Sequence, residues 1–272
     1  MQSRATRDVM KRAQMAAAAA ALALAPAGVL AQSDADLAKK LANPIANLVS
    51  VPFQFNYDGD IGPADGERYF VNVQPVVPLD LNKDWNLISR TILPLMYQDN
   101  VVRGSDQSGL GDIVQSLFFS PKEAVGGLTW GVGPVFLLPT ATDDLLGAEK
   151  WGAGPTGVVL KQEGPWTYGG LVNHIWSFAG DSGRADISAT FLQPFVGYTT
   201  PTATSYFLNL ESTYDWKSET WSVPVNVGVN QLLSIGGQKM QIGGGLRYWA
   251  ESPASGPEGI GARVNVIFLF PK

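Results

Sequence analysis

His174 is the single histidine of this 272-residue chain, and the chain has no cysteine. A serine hydrolase would need that imidazole beside a serine nucleophile and an orienting polar group. In an extended segment its same-face neighbours are Val172 and Trp176, while Ser177 falls on the opposite face. The spacing therefore reads as a structural histidine, with only a serine on another strand left as a catalytic partner. One histidine without cysteine is also a poor start for a transition-metal site. Asp143-Asp144 has the chemistry to hold a divalent cation or bridge lipopolysaccharide, but a solvated acidic loop is the plainer reading. Gly131-Val132-Gly133-Pro134 and Gly152-Ala153-Gly154-Pro155 suggest phosphate loops, yet no helix follows either, so they read as glycines within strands. No catalytic residue, cofactor or metal site is expected.

A second group of polar residues is more informative. Arg68, Asn72, Gln74, Asn86, Arg90, Asn209, Glu211, Asp215, Asn226, Asn230, Arg247, Arg263 and Asn265 all lie in segments where polar and apolar residues alternate. A period of two is the strand signal. Val49, Val51, Phe53, Phe55 and Tyr57 oppose Ser50, Gln54 and Asn56, and Tyr206, Leu208, Leu210, Tyr214 and Trp216 oppose Asn209, Glu211, Thr213 and Asp215. The C-terminal Val264, Val266, Phe268 and Phe270 share a face opposite Arg263 and Asn265, with Ile267 and Leu269 as exceptions. An apolar face backed by a polar one suits a strand with lipid on one side and a wet lumen on the other.

Twelve strand candidates follow: 48–57, 67–79, 85–98, 110–120, 128–139, 151–161, 166–178, 187–198, 205–216, 221–233, 239–250 and 260–270. The fourth, fifth, sixth and eighth alternate poorly. Connections 58–66, 99–109, 140–150, 179–185 and 251–259 are long and acidic or glycine-rich, whereas 80–84, 162–164, 199–204 and 234–238 are short. That asymmetry is the one seen in bacterial outer-membrane barrels. Trp85, Trp130, Trp151, Trp166, Trp216, Trp221 and Trp249 fall near predicted strand ends, where amphipathic rings favour the headgroup level. The expected fold is all-β: an antiparallel up-and-down transmembrane barrel of about twelve strands with the thirteen polar residues lining its lumen. Pro75, Pro94, Pro134, Pro155, Pro194 and Pro224 conflict with a continuous ladder: either they mark bulges and strand ends, or some of these strand limits are misplaced.

Residues 1–31 read as a secretory signal peptide: a basic start (Arg4, Arg7, Lys11, Arg12), an Ala/Leu-rich stretch from Ala13 to Leu24, and small residues up to Ala31. Residues 32–47 are expected to be an N-terminal periplasmic segment, either a short helix with Ser33 and Asp36 as its cap, Leu37, Leu41 and Ile45 at four-residue spacing and Pro44 as its stop, or a mobile tail with one frayed turn. The barrel is expected over 48–272. The whole chain carries a net charge of −5; removing residues 1–31 takes away four basic residues and one acidic residue and leaves −8. Such a balance argues against nucleic acid as a partner. The expected location is the outer membrane of a Gram-negative bacterium. The expected partners are outer-membrane lipid, lipopolysaccharide, the barrel-assembly machinery and a small permeant, and the expected state is a monomer. The function this supports is passive uptake of small molecules by a non-enzymatic channel; a lipid-acting outer-membrane enzyme and a structural or adhesive barrel are the alternatives.

Several stretches also carry a resemblance: Trp85–Thr91 leading to Pro94, Gly109-Leu110-Gly111-Asp112, Leu138–Gly147, Lys150-Trp151, Val172–Ser177, Gln193-Pro194 and the terminal Phe268–Lys272. Together they resemble the family of outer-membrane transporters named for the meta-cleavage pathway of phenol degradation, some members of which are labelled neuromedin U. The resemblance implies a barrel and a transport role, with aromatic or apolar compounds among the candidate cargo. It brings no catalytic or ligand residues.

Overall fold

The computed structural model describes residues 33–270; the expected signal peptide lies outside the described residues. Twelve antiparallel spans follow one another around a closed barrel. They are β1 (Val49–Ile61), β2 (Gly66–Val73 continued by Val76–Asp80), β3 (Trp85–Asp99), β4 (Asp106–Leu110 continued by Ile113–Pro121), β5 (Leu128–Leu138), β6 (Lys150–Glu163), β7 (Trp166–Gly180), β8 (Ser188–Thr199), β9 (Thr204–Leu210 continued by Ser212–Asp215), β10 (Thr220–Ile235), β11 (Gln238–Glu251) and β12 (Ile260–Phe270). Each pairs with its chain neighbours, and β12 closes on β1 with Val49 opposite Phe270 and Tyr57 opposite Ala262. Closure leaves no free sheet edge, the condition for crossing hydrocarbon with strands.

The long connections, 139–149, 181–187 and 252–259, all lie at the same end. One end of the barrel carries 81–84, 122–127, 164–165, 200–203 and 236–237; the other carries 62–65, 100–105, 139–149, 181–187, 216–219 and 252–259. The outer face is apolar and exposed, with Leu208, Val227 and Leu246 side by side across β9–β11. Aromatic pairs ring both ends: Trp85 with Trp130 and Trp166 with Tyr198 near the short turns, Tyr57 with Tyr69 and Tyr214 with Trp221 near the long loops.

The prolines lie where the ladder is already interrupted. Pro75 sits in the gap between the two halves of β2, and Pro94 faces the break in β4 after Leu110. Pro134 and Pro155 pair with each other. Their other sides meet positions where pairing skips, between Ser116 and Phe119 on β4 and between Asn173 and Trp176 on β7. Pro194 and Pro224 flank Glu211, where β9 is broken and the β10–β11 register shifts. A residue without an N–H costs a ladder nothing where no bond is made.

The interior departs from the expected uniformly polar lumen. One wall is apolar: Val76, Ile88, Phe118, Val158, Leu160 and Leu171 form a buried cluster that Phe191 and Phe195 extend. These side chains come mainly from β3, β4 and β6–β8, and this is why the fourth, sixth and eighth segments alternate weakly: both their faces are greasy. In β5 the same holds through Val135, which is fully buried.

Residues 33–48 lie across the inside of the barrel at the short-turn end. Helix α1 (Asp34–Leu41) is capped by the Ser33 hydroxyl on the Asp36 amide at 3.1 Å. It ends at Leu41, before Pro44, so the expected stop is reached one turn early. Ala38, Leu37, Leu41 and Leu48 pack against Ala203, Leu232 and Leu269 on one wall. Ile45 enters the cluster of Ile88, Phe118 and Leu160 on the other. Gly131 makes this possible, because a Cβ there would crowd Ile45 and Phe118 at 3.2 and 3.1 Å. Lys239–Asp34 (2.6 Å) and Lys39 donating to the Gly164 carbonyl (2.6 Å) fix the segment to two turns.

Candidate functional site: a charged band and a cavity inside the barrel

Opposite the apolar wall, β9–β12, β1 and β2 turn polar side chains toward the axis. Glu211 is reached by Arg263 through two parallel bonds, Nη1 to Oε1 at 2.8 Å and Nη2 to Oε2 at 2.9 Å. Arg263 stands on β12 and Glu211 on β9, so this fork spans two intervening strands inside the barrel. The break of β9 between two prolines is what frees Glu211 from regular pairing and lets it reach inward; its amide still donates to the Pro224 carbonyl. Arg247 adds Nη1 to Glu211 at 3.3 Å and brings its Nε within 3.2 Å of Asp58 Oδ1. That last contact is an ion pair by distance without hydrogen-bond alignment. Arg263 Nε donates to Asn56 at 2.8 Å, and the Trp249 indole donates to Asp58 at 3.0 Å while stacking on Arg247. A bidentate guanidinium–carboxylate pair is among the strongest polar contacts a protein makes.

The remaining predicted residues distribute along this face. Arg68 Nε donates to Gln98 at 3.3 Å, and Gln98 donates on to Gln107. Arg90 Nη2 donates to Gln74 Oε1 at 2.9 Å, and Gln74 donates to Gln54. Asn226 donates to Asn209, and Asn265 to Asn230. Asn72 shares its face with Gln54 and Pro94. Two residues stand apart from the band. Asn86 is buried near the short turns with its Oδ1 unpartnered, and Asp215 accepts the Lys217 amide at a loop-side turn. Sequence reasoning placed Asp58 in a loop and so missed it, although the alternation of Ser50, Gln54 and Asn56 continues to it in the longer strand. Trp249, expected at the lipid interface, turns inward to Asp58 and Arg247, because two buried charges outweigh a headgroup contact for its N–H.

Basic and acidic side chains sit intermixed. Arg68, Arg90, Arg247 and Arg263 face Asp58 and Glu211 in one band, a local excess of two positive charges in a chain of net −5. Between the band and residues 38–48 lies a cavity of about 240 Å³, lined by Gln54, Gln74, Arg90, Phe195, Phe207 and Asn230 among others.

At the far end, loop 139–149 folds inward. Asp112 accepts the amides of Ala141 (3.1 Å) and Ala148 (2.6 Å), and Thr142 accepts the Leu110 amide. Leu146 is buried over the Gly109–Gly111 stretch, where a side chain at Gly109 would strike Thr142. Asp143 spends one oxygen on the Leu145 amide. Arg184 donates to the carbonyls of Asp144 and Gly147 and links this loop to 181–187.

His174 points outward. Its Nδ1 is 2.7 Å from Thr190 Oγ1, which also accepts from the Trp216 indole, and its Nε2 is 3.4 Å from Ser188 Oγ.

The closed barrel, its apolar exterior and its two aromatic rings define an outer-membrane β-barrel. Solved structures share that architecture. An outer membrane channel from Pseudomonas putida F1 superposes with a TM-score of 0.64 at 16% identity, covering 82% of this chain and 96% of that one. The outer membrane phospholipase A of Escherichia coli superposes with a TM-score of 0.50 at 12% identity, covering 88% and 98%. At these identities the likeness is one of fold. No protein-family model matches the chain, and no curated protein matches it.

Proposed function

We propose that the protein is a narrow channel of the outer membrane of a Gram-negative bacterium, for passive uptake of small molecules. Residues 33–48, Phe270 and the short turns face the periplasm, and loops 139–149 and 181–187 narrow the outer mouth. One observation carries the reading: the lumen keeps a charged, hydrogen-bonding lane and a 240 Å³ cavity beside a greasy wall, rather than filling with apolar side chains. Twelve strands fall between small barrels whose interiors side chains fill and the 16 to 18 strands that leave a wide aqueous pore. An amphipathic lane of that width suits solutes with both an apolar and a polar side, aromatic compounds among them. The resident charge excess favours anions. Purified protein in planar bilayers is expected to show small discrete conductances, and Arg90→Glu is expected to shift ion preference toward cations. Silent bilayers, with and without residues 33–47, would overturn the reading.

A second reading, a lipid-acting enzyme, has one observation in its favour: the outward His174 between Ser188 and Thr190. His174→Ala in a lipid-hydrolysis assay separates the two, because the channel reading expects no hydrolysis to lose.

A further inference from the structure

Arg90 and Arg68 differ from the other charged residues of the band, each meeting only a neutral amide. Arg247 and Arg263 are paired with carboxylates, whereas Arg90 forms no ion pair among the described residues and meets only the neutral Gln74 amide. Glu211, whose field reaches it, is already held by two other guanidinium groups. Among the described residues, Arg90 is also the sole charged one lining the 240 Å³ cavity. The rest of that lining divides by chemistry. Gln54, Gln74, Asn209 and Asn230 offer amides, and Phe195 and Phe207 offer flat apolar faces. A guanidinium facing confined space without an anion is costly unless something occupies that space.

We propose that this cavity binds a small monocarboxylate with a flat apolar body, its carboxylate on Arg90 and its ring against Phe195 and Phe207. The planar fork of arginine matches a carboxylate. The cavity, about 240 Å³, has room for one such molecule. The side-chain amides donate to the carboxylate lone pairs that the fork leaves free. The floor is the N-terminal segment itself, through Leu41, Pro44 and Ala46, so an occupant touches the element that closes the barrel below it. The proposal deepens the channel reading by naming the class of permeant, and it rests on that reading for its role in uptake.

The test is calorimetric titration of the detergent-solubilised barrel with benzoate and, in parallel, with benzyl alcohol. Benzoate is expected to bind saturably, and benzyl alcohol at least tenfold more weakly. Arg90→Gln is expected to weaken benzoate at least tenfold, Arg90→Lys less. Phe195→Ala, which leaves every charge in place, is expected to weaken benzoate while sparing acetate. Heat-modifiable gel mobility checks that each variant is folded. Equal affinity for benzoate and benzyl alcohol, or benzoate binding unmoved by Arg90→Gln and Phe195→Ala, would overturn the proposal. Bilayer conductance keeps the two ideas apart: a conducting barrel without the binding refutes the site alone, and Arg90-dependent binding by a barrel that never conducts refutes the channel alone.

Discussion

Glu211 joins Arg263 to Arg247, and through Arg247 to Asp58, across the inside of the barrel. Removing its charge leaves two guanidinium groups in a confined space without a partner. Breaking such a pair from one side costs about 3–5 kcal/mol in buried settings, and Glu211, with 18% of its side chain accessible, belongs near the lower end. Glu211→Gln is therefore expected to lower the urea midpoint of the folded barrel by an amount matching about 3 kcal/mol. It is also expected to strengthen anion preference, read as a reversal potential in a salt gradient. An unchanged midpoint would mean that water already screens the band. Parity along β9, β11 and β12 placed Glu211, Arg247 and Arg263 on the inward face from sequence alone. What parity does not carry is which charges meet. That depends on the strand break between Pro194 and Pro224 and on chords across the barrel, and neither is a local property of any one strand.

At the scale of elements, the N-terminal segment and the two long loops set the width of the lane. Ile45 anchors the segment in the apolar wall, and truncating a buried isoleucine to alanine costs about 2–5 kcal/mol. Ile45→Ala is expected to loosen the segment and raise single-channel conductance or open probability; identical traces would remove the segment from the permeation path. The cap and the four-residue spacing offer the helix as one of two readings, and the helix is what forms. Its docking inside the barrel was not legible, because the partners of Ile45 lie on five different spans. The weak alternation of four strand segments recorded the same fact in a form that only the closed barrel explains. At the other mouth, Lys150 beside Asp186 at 3.1 Å, helped by the Ser177 hydroxyl, holds the Asp186 carboxyl below its usual range. A depressed carboxylate pKa contributes stability above the unfolded value and loses it as pH falls through the folded one. Loop 181–187 is therefore expected to stay ordered down to about pH 4 and to loosen below it. Hydrogen exchange of its amides measures this, and Asp186→Asn is expected to abolish the pH step.

For the whole molecule, the physical requirement is a lipid-facing exterior of apolar side chains. Val227, with Leu208 and Leu246 beside it and 52% exposed, sits mid-strand on that surface. An arginine there is expected to cost about 2–4 kcal/mol in a bilayer, read as reduced folding into vesicles. A tolerated Val227→Arg would contradict the assigned face. The strand count and the outward face were legible in the sequence, since a period of two is a local signal; the connections were legible only in part, because 58–66 and 99–109, read as long, shrink to 62–65 and 100–105 as the strands run on. The amphipathic interior was not, since it arises only when a greasy inner wall from β3–β8 closes against the charged band. The account stands or falls on what that interior passes. The direct measurement is the reversal potential of the purified barrel in a planar bilayer under a potassium chloride gradient. The account predicts discrete conductances with the sign of anion preference, weakened by Arg90→Glu. Cation preference in the unaltered protein, or selectivity indifferent to Arg90, would contradict it.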